Sequence, residues 1–282
     1  MKSNFDLHTH STDSDGKLDK EELVRHAQQE DFEALAITDH NTITLNGLKN
    51  LLEGMSDSKV SIIPGIEIDC NLPKRLHLLG YYIQDDEKIN NFLVAVKKEN
   101  EEKTLELIDI LQKIYHLDIT VPEVAKYSTG YLNKRAVISA MIDKGFVDSA
   151  YEASGRYLGE HLPNYVPMKK VTAKEGIQLI LDSGGIPVLA HPITIFKKNT
   201  EKEFEPLLKE LIDYGLMGIE IINFREGFDC RDYFEKLAKK YKLITTAGTD
   251  FHNYEKDKLG VFEDPEQFLY PLMDLGSRHN VK

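Results

Sequence analysis

Histidines and carboxylates in this chain stand in short blocks, and the blocks accompany apolar runs of strand length. Six of the ten histidines belong to them. In chain order the blocks read DLHTH, SDG, TDH, PGIE, HLLGY, AHP and GTDFH. Imidazole nitrogens and carboxylate oxygens are the ligands that proteins offer to zinc, manganese and iron. Polar blocks at the ends of several strands therefore predict one multinuclear metal site, because strand ends converge in an α/β barrel.

The rest of the chain alternates between strand-like and helix-like segments. Short apolar strands are followed by amphipathic segments such as Lys17 to Glu30, whose apolar side chains fall on one helix face. This alternation indicates an α/β fold, either a barrel or a doubly wound sheet. Four strands precede the middle of the chain and three follow it, the last at Leu243 to Thr246.

The alternation stops in the middle of the chain. Residues 99–165 contain no clear strand but carry the apolar stripe of a long helix, with breaks at Pro122 and Gly130. We predict an all-helical insertion at 99–165, acting as a lid or substrate domain. Residues 1–98 and 166–282 would form the α/β domain with the metal site.

Composition excludes several classes of protein. No apolar run is long enough to span a membrane, and the first residues lack a signal core. Two cysteines without a paired motif do not form a disulfide framework, so we expect a cytoplasmic protein. The net charge of −12 disfavours duplex nucleic acid. Nothing in the sequence indicates an obligate protein partner.

Each block also has an ordinary structural interpretation. Asp15 in SDG is typical of a turn, and Asp39 beside His40 could cap a helix. A histidine such as His77 or His191 could be a hydrogen-bonded core residue. These readings would require several independent coincidences of residue type and strand-end position, so the shared metal site is the favoured interpretation.

Taken together, the blocks resemble the polymerase-and-histidinol-phosphatase (PHP) family of metal-dependent phosphoesterases. The resemblance runs from Asp6 to His252. It implies a distorted (β/α)7 barrel. The chain is most similar to the trinuclear subgroup that carries a helical insertion after the fourth strand. Members of that subgroup act on nucleoside 3′,5′-bisphosphates such as pAp and on the 5′ ends of short RNA, so the implied substrate is a small phosphorylated nucleotide or oligonucleotide.

The resemblance also implies three metal positions. The first would be held by His8, His10, Glu67 and Asp250, with Glu67 bridging. The second would be held by Asp15, His40 and His252. The third would be held by Glu67, His77 and His191. We expect two to three divalent ions, with Mn²⁺ first and Zn²⁺ or Fe²⁺ as alternatives, because such ligand sets admit several metals.

Hydrolysis would use hydroxide formed at the ions, since bound metal lowers the pKa of water towards about 7. Asp39 is expected to orient a ligand histidine, and His252 is a candidate proton donor to the leaving group. Glu220 could play an orienting role as well, or could pair with a lysine.

Basic residues are the candidates for gripping a second phosphate of the substrate. They are Lys134, Arg135 and Arg156 in the insertion, and Arg225 after a later strand. The segment Asn133 to Ala136 reads NKRA, whereas family members often have Gly-Arg-Pro-His there. This departure puts the specificity for a bisphosphate in question.

Other functions remain open at this point. A histidinol-phosphate phosphatase is a close variant, which the long insertion disfavours. An amidohydrolase-like C–N hydrolase also begins with His-x-His, but it often needs a bridging lysine that the blocks do not offer. A non-catalytic metal-binding module is the third alternative.

Overall fold

The structure of the protein is a computed structural model that describes residues 4–42, 59–70, 76–84, 87–128, 131–169, 171–195, 201–223, 231–253, 258–260 and 264–279. The apolar spacing of Leu45, Leu48, Leu51 and Leu52 predicts a helix, and this segment lies outside the described residues, as does Arg225. Cα positions divide the chain into two compact units, one of residues Met1–Asn90 with Val171–Lys282 and one of residues Asn91–Lys170.

The first unit is built on one sheet of seven strands. They are β1 Asn4–Thr9, β2 Phe32–Ile37, β3 Ser61–Cys70, β4 Leu76–Tyr81, β5 Ile186–Leu189, β6 Gly218–Ile222 and β7 Ile244–Ala247. Their spatial order follows the chain. The expected seven-stranded α/β fold is confirmed.

Hydrogen bonds between the end of β1 and the segment after β7 close the sheet. The backbone N–H of His10 donates to Phe251 O at 2.9 Å, and the N–H of Phe251 donates to His8 O at 3.2 Å. Thr9 and Phe251 form a parallel bridge. Closure brings the polar block after β7 directly beside the polar block of β1.

Strand β4 runs opposite to its neighbours. It pairs antiparallel with both β3 and β5, whereas the other pairs are parallel. Its first residues therefore lie at the edge where parallel strands end, and His77 faces Asp69 near the end of β3. His77 reaches the shared edge because it lies at the beginning of a reversed strand.

Ten α-helices lie within the described residues. They are α1 Lys20–Gln29, α2 Glu87–Lys113, α3 Val121–Ala125, α4 Lys134–Asp143, α5 Ala150–Ala153, α6 Ala173–Asp182, α7 Glu201–Asp213, α8 Arg231–Tyr241, α9 Pro265–Phe268 and α10 Tyr270–His279. Capping explains where some of them begin: Asp19 and Glu22 form a capping box at α1, and Thr172 and Glu175 form one at α6. No described helix has the length and apolar character needed to cross a membrane.

The second unit has its own apolar core. Helix α2 begins in the first unit and runs into the second, where Leu107 and Leu111 pack with Val137, Met141 and Leu158. The described residues of this unit contain helices and no strand. The unit spans Asn91–Lys170, so it begins eight residues before and ends five residues after the predicted range 99–165. The earlier start follows from the continuity of α2.

Candidate metal centre

Glu67 lies at the centre of the polar cluster, and its side chain is fully buried. Its Oε1 is hydrogen-bonded to His77 Nδ1 at 2.7 Å and to His191 Nε2 at 2.9 Å. Its Oε2 lies 3.1 Å from His40 Nδ1, 3.3 Å from His10 Nε2 and 3.5 Å from His8 Nε2. The apolar run Val60 to Ile63 predicts a strand that ends near Glu67, whereas β3 continues through Glu67 to Cys70. A carboxylate whose two oxygens each face ring nitrogens is placed to bridge ions.

The first expected ligand set comes together around this carboxylate. Ligand atoms of His8, His10, Glu67 and Asp250 lie within 4.8 Å of one another. His8 and His10 are two residues apart at the end of β1, so their side chains project to the same face of the strand. Asp250 Oδ1 lies 3.4 Å from His8 Nε2 and 3.1 Å from His10 Nε2.

The second expected set is also assembled, with His10 as an additional neighbour. Ligand atoms of His10, Asp15, His40 and His252 lie within 4.8 Å of one another. His252 Nε2 lies 3.3 Å from Asp15 Oδ1, and His40 Nε2 lies 3.9 Å from the same oxygen. Asp15 is carried by the turn after β1, where the sequence placed it.

The third expected set meets at Glu67 Oε1, which contacts both His77 and His191. A further group consists of His40, Glu67 and His77, whose ligand atoms also lie within 4.8 Å. His191 has a φ of 25°, a backbone conformation that residues with a side chain rarely adopt. Its N–H donates to Glu220 Oε2 at 2.7 Å, which helps to hold this strained position.

Buried polar atoms show that the cluster fits divalent ions. Within the described part of the chain, His8 Nε2 and Glu67 Oε2 are buried and have no hydrogen-bond partner. Buried polar atoms normally have one, because leaving them unsatisfied costs about 1–3 kcal/mol. Ions bound among these converging lone pairs would satisfy them, and the imidazole and carboxylate donors are the types that such ions take.

The pKa values of the cluster, in the protein without metal ions, reflect the close approach of its histidines and carboxylates. Burial raises the pKa of Glu67, but His40, His8 and His77 outweigh burial and hold that pKa well below its usual range. Burial lowers the pKa of His40, but Glu67 and Asp69 outweigh it and raise the pKa to about 9. For His252, burial and the neighbouring His10 lower the pKa to about 4. A neutral His252 suits a metal ligand; its role as proton donor stays a prediction.

Glu220 contacts the ring of His8 and the backbone of His191. Its Oε1 lies 3.0 Å from His8 Nδ1, and its Oε2 accepts from the backbone N–H of His191 and from Asn223 Nδ2. The side chain is fully buried on β6. A carboxylate on the far nitrogen of a ligand histidine fixes the ring and its tautomer. The geometry therefore favours the orienting role of Glu220 over pairing with a lysine.

Asp39 accepts hydrogen bonds from two serines, whereas the sequence led us to expect a direct contact with a ligand histidine. Its oxygens accept from Ser11 N at 2.7 Å, Ser11 Oγ at 2.6 Å and Ser14 Oγ at 2.6 Å. Ser14 Oγ in turn lies 3.5 Å from His10 Nδ1. The expected contact with a ligand histidine is thus indirect: Asp39 anchors the turn between His10 and Asp15, and Ser14 lies between it and the ring.

The comparison with known proteins identifies the family of this centre. The PHP domain matches residues 6–223, which carry His8 to His191 of the cluster. The chain belongs to the PHP family. Asp250 and His252 follow the matched range and complete the two ligand groups in which they stand.

Similar proteins are enzymes that act on phosphoesters. A 5′-3′ exoribonuclease of Haemophilus influenzae is 28% identical over 89% of this chain and 91% of its own length. A phosphoribosyl 1,2-cyclic phosphate 1,2-diphosphodiesterase of Eggerthella lenta is 27% identical over 88% of this chain and 93% of its own length. A 3′,5′-nucleoside bisphosphate phosphatase of Chromobacterium violaceum is 25% identical over 89% and 87%. The PHP protein described here is a metal-dependent phosphoester hydrolase.

Solved structures share its fold. A structure from Chromobacterium violaceum described as an amidohydrolase with bound sulfate superposes with a TM-score of 0.79 at 22% identity, covering 98% of this chain and 97% of its own. At this identity the likeness concerns the fold alone. It agrees with the barrel described above.

Sequence reasoning missed two acids of the PHP site. Asp6 is fully buried and accepts from the backbone N–H groups of His8, Thr249 and Gly260, and from Thr249 Oγ1. Burial raises its pKa to about 6. Asp69 Oδ1 lies 3.1 Å from His77 Nε2 and 3.4 Å from His40 Nδ1. The sequence signal that could have found these acids is their spacing, because each is two residues from a proposed ligand on the same strand.

The basic residues expected to bind substrate lie in the second unit, apart from Arg225. Lys134 Nζ donates to Leu158 O at 2.9 Å and lies 5.5 Å from the ring centre of Tyr165. Arg156 is 54% exposed and pairs with Glu152. Arg135 is exposed at the start of α4. Their contacts with substrate stay predictions.

Proposed function

We propose that this PHP enzyme hydrolyses phosphate monoesters of small nucleotides, namely nucleoside 3′,5′-bisphosphates such as pAp or the 5′ ends of short RNA. The observation that carries the proposal is the buried carboxylate of Glu67 among five imidazoles, the arrangement expected of a multinuclear centre. The named activities of the Haemophilus and Chromobacterium relatives support the substrate class.

Two to three divalent ions would bind, with Mn²⁺ as the expected metal. The proposed ligands are His8, His10, Glu67 and Asp250 for the first ion, Asp15, His40 and His252 for the second, and Glu67, His77 and His191 for the third. When bound, such ions activate water as a nucleophile and neutralise charge on the phosphate in the transition state.

The residues of the chain prepare the site for this chemistry. Glu220 holds the ring of His8 and the backbone of His191, so two proposed ligands share one buried support. Asp6 ties the block at β1 to the block after β7 through His8 N and Thr249 N. Rigid placement of ligands matters because small displacements from the productive geometry are costly to catalysis.

The charge of the site explains how an acidic protein could receive a phosphate. Three divalent ions against the carboxylates of Asp15, Glu67 and Asp250 leave a formal charge of about +3 in the centre. The whole chain carries −12. A small phosphate ester would thus be attracted locally, while a long duplex would meet an acidic surface.

A panel of phosphate esters tests the proposal. Protein loaded with Mn²⁺ is incubated with pAp, a short 5′-phosphorylated RNA, histidinol phosphate and a ribosyl 1,2-cyclic phosphate, and the released phosphate, released mononucleotide or opened cyclic ester is measured. We expect turnover of pAp or of the RNA at least tenfold faster than of the other two. Equal or faster cleavage of histidinol phosphate or of the cyclic ester would overturn the proposed substrate class. The variant Glu67→Gln controls for contaminating phosphatase.

A further inference from the structure

The position of Asp69 follows from strand pairing. Glu67 and Asp69 are two residues apart on β3, so their side chains project to the same face. Asp69 is paired across the sheet with His77 on the reversed strand β4. Its backbone N–H donates to Asn41 Oδ1, and the N–H of Asn41 donates to Glu67 O. Asp69 is thus held beside the His40–Asn41 segment and beside His77 at once.

One oxygen of Asp69 points into the cluster. Oδ1 lies 3.1 Å from His77 Nε2 and 3.4 Å from His40 Nδ1. The side chain as a whole is 40% exposed, but Oδ1 is buried and has no hydrogen-bond partner within the described residues. Within the described residues, His40 Nδ1 and Glu67 Oε2, which lie 3.1 Å apart, are likewise buried without a hydrogen-bond partner. Unsatisfied buried atoms of three side chains therefore lie beside one another, as expected around a cation.

The formal charges of the ions and carboxylates also support a further carboxylate ligand. Glu67 is shared between ion positions, so an ion beside His40 and His77 would have only part of one carboxylate. Adding Asp69 to the carboxylates of Asp15, Glu67 and Asp250 lowers the formal charge of a three-ion centre from about +3 to about +2. An added carboxylate also makes the position richer in oxygen, which suits Mn²⁺.

We propose that Asp69 is a further metal ligand, acting through Oδ1 at an ion position that faces His40 Nδ1 and His77 Nε2. This inference rests on the proposed function, because it assigns an additional ligand to the same centre. Asp69 thereby joins a ligand set that neither the sequence blocks nor the family resemblance assigned to it.

Metal stoichiometry tests the proposal without relying on activity. Wild type, Asp69→Asn, Asp69→Ser and the exposed helix-end control Asp213→Asn are stripped with a chelator, reloaded with Mn²⁺ and desalted. Manganese per chain is measured by plasma mass spectrometry, and affinity is measured by calorimetric titration. Circular dichroism of each variant verifies folding, and the serine variant stands in if the asparagine variant is unfolded.

We expect both Asp69 variants to retain one Mn²⁺ fewer than wild type, while Asp213→Asn matches wild type. Folded Asp69 variants that retain the full manganese content, even with weaker binding, would overturn the role of Asp69 as a ligand and leave the proposed function intact. A wild type that retains no manganese at all would overturn both.

Discussion

Glu220 Oε1 lies 3.0 Å from Nδ1 of His8, and both side chains are fully buried. This contact leaves Nε2 of His8 to face Glu67 and Asp250. A carboxylate on the outer nitrogen of a ligand histidine fixes the ring orientation and raises its basicity. The relationship makes Glu220 a positioning residue of the metal centre.

The variant Glu220→Gln should therefore weaken metal binding without removing a ligand. We expect the affinity for Mn²⁺ to fall by about 10–100-fold, with activity partly restored at high Mn²⁺. Mn²⁺ titrations followed by activity and by calorimetry measure this, with the exposed Glu266→Gln as the matched control. Unchanged affinity in Glu220→Gln would contradict the positioning role.

Replacing the central carboxylate should be more severe. Glu67→Gln keeps the shape of the side chain but loses the charge that faces the five imidazoles. We expect kcat on the best substrate to fall by more than about 1000-fold, because the carboxylate proposed to bridge the catalytic ions is lost. Excess Mn²⁺ should not restore it, in contrast to Glu220→Gln. Retention of a tenth of the activity would argue against a bridging role.

Asp39 should matter for stability more than for ligand chemistry. Asp39→Ala leaves the N–H and hydroxyl of Ser11 and the hydroxyl of Ser14 without their acceptor. Each buried unsatisfied group costs about 1–3 kcal/mol, and local relaxation offsets part of the sum. We expect the free energy of unfolding of the chelated protein to fall by about 3 kcal/mol in urea titrations. The milder Asp39→Asn should lose less, and a loss below about 1 kcal/mol in Asp39→Ala would contradict this account.

Arg156 offers a test of the predicted substrate contact. Its guanidinium pairs with Glu152 and stacks 4.9 Å from the ring centre of Tyr157. If it binds a substrate phosphate, Arg156→Ala should raise the KM for pAp about tenfold, because one charge-assisted hydrogen bond is lost. Metal content and kcat should not change. Lys144→Ala, which also removes a paired cation of the helical unit, is the matched control. An unchanged KM would remove Arg156 from the set of substrate contacts.

Metal binding should stabilise the fold. Free Mn²⁺ at about 100 times its dissociation constant adds about 2.7 kcal/mol per site to the free energy of unfolding, provided that the unfolded chain does not bind it. We expect a rise in Tm of about 5 °C or more between chelated and Mn²⁺-loaded wild type in calorimetric scans. Glu67→Gln should show a smaller rise. Equal Tm values with and without Mn²⁺ would indicate that the cluster does not bind it.

Much of the centre could be predicted because residue type alone carries metal-ligand chemistry. His8, His10 and Glu67 stand in blocks beside apolar strands, and parallel strands end at a shared edge. The roles of Glu220 and Asp69 could not be predicted in the same way. An acid within a strand has no local signal that tells a positioning residue from an ordinary one, and its partners are distant in sequence: His8 is 212 residues from Glu220.

By itself, the sequence determined the strand–helix alternation and the donor types of the candidate ligands, because periodicity and donor type are local properties. Only the tertiary structure decided that β4 is reversed, that β1 closes on the segment after β7, and that Asp69 lies against His77. These features depend on hydrogen-bonded register between segments far apart in the chain, and register is settled when the whole sheet packs.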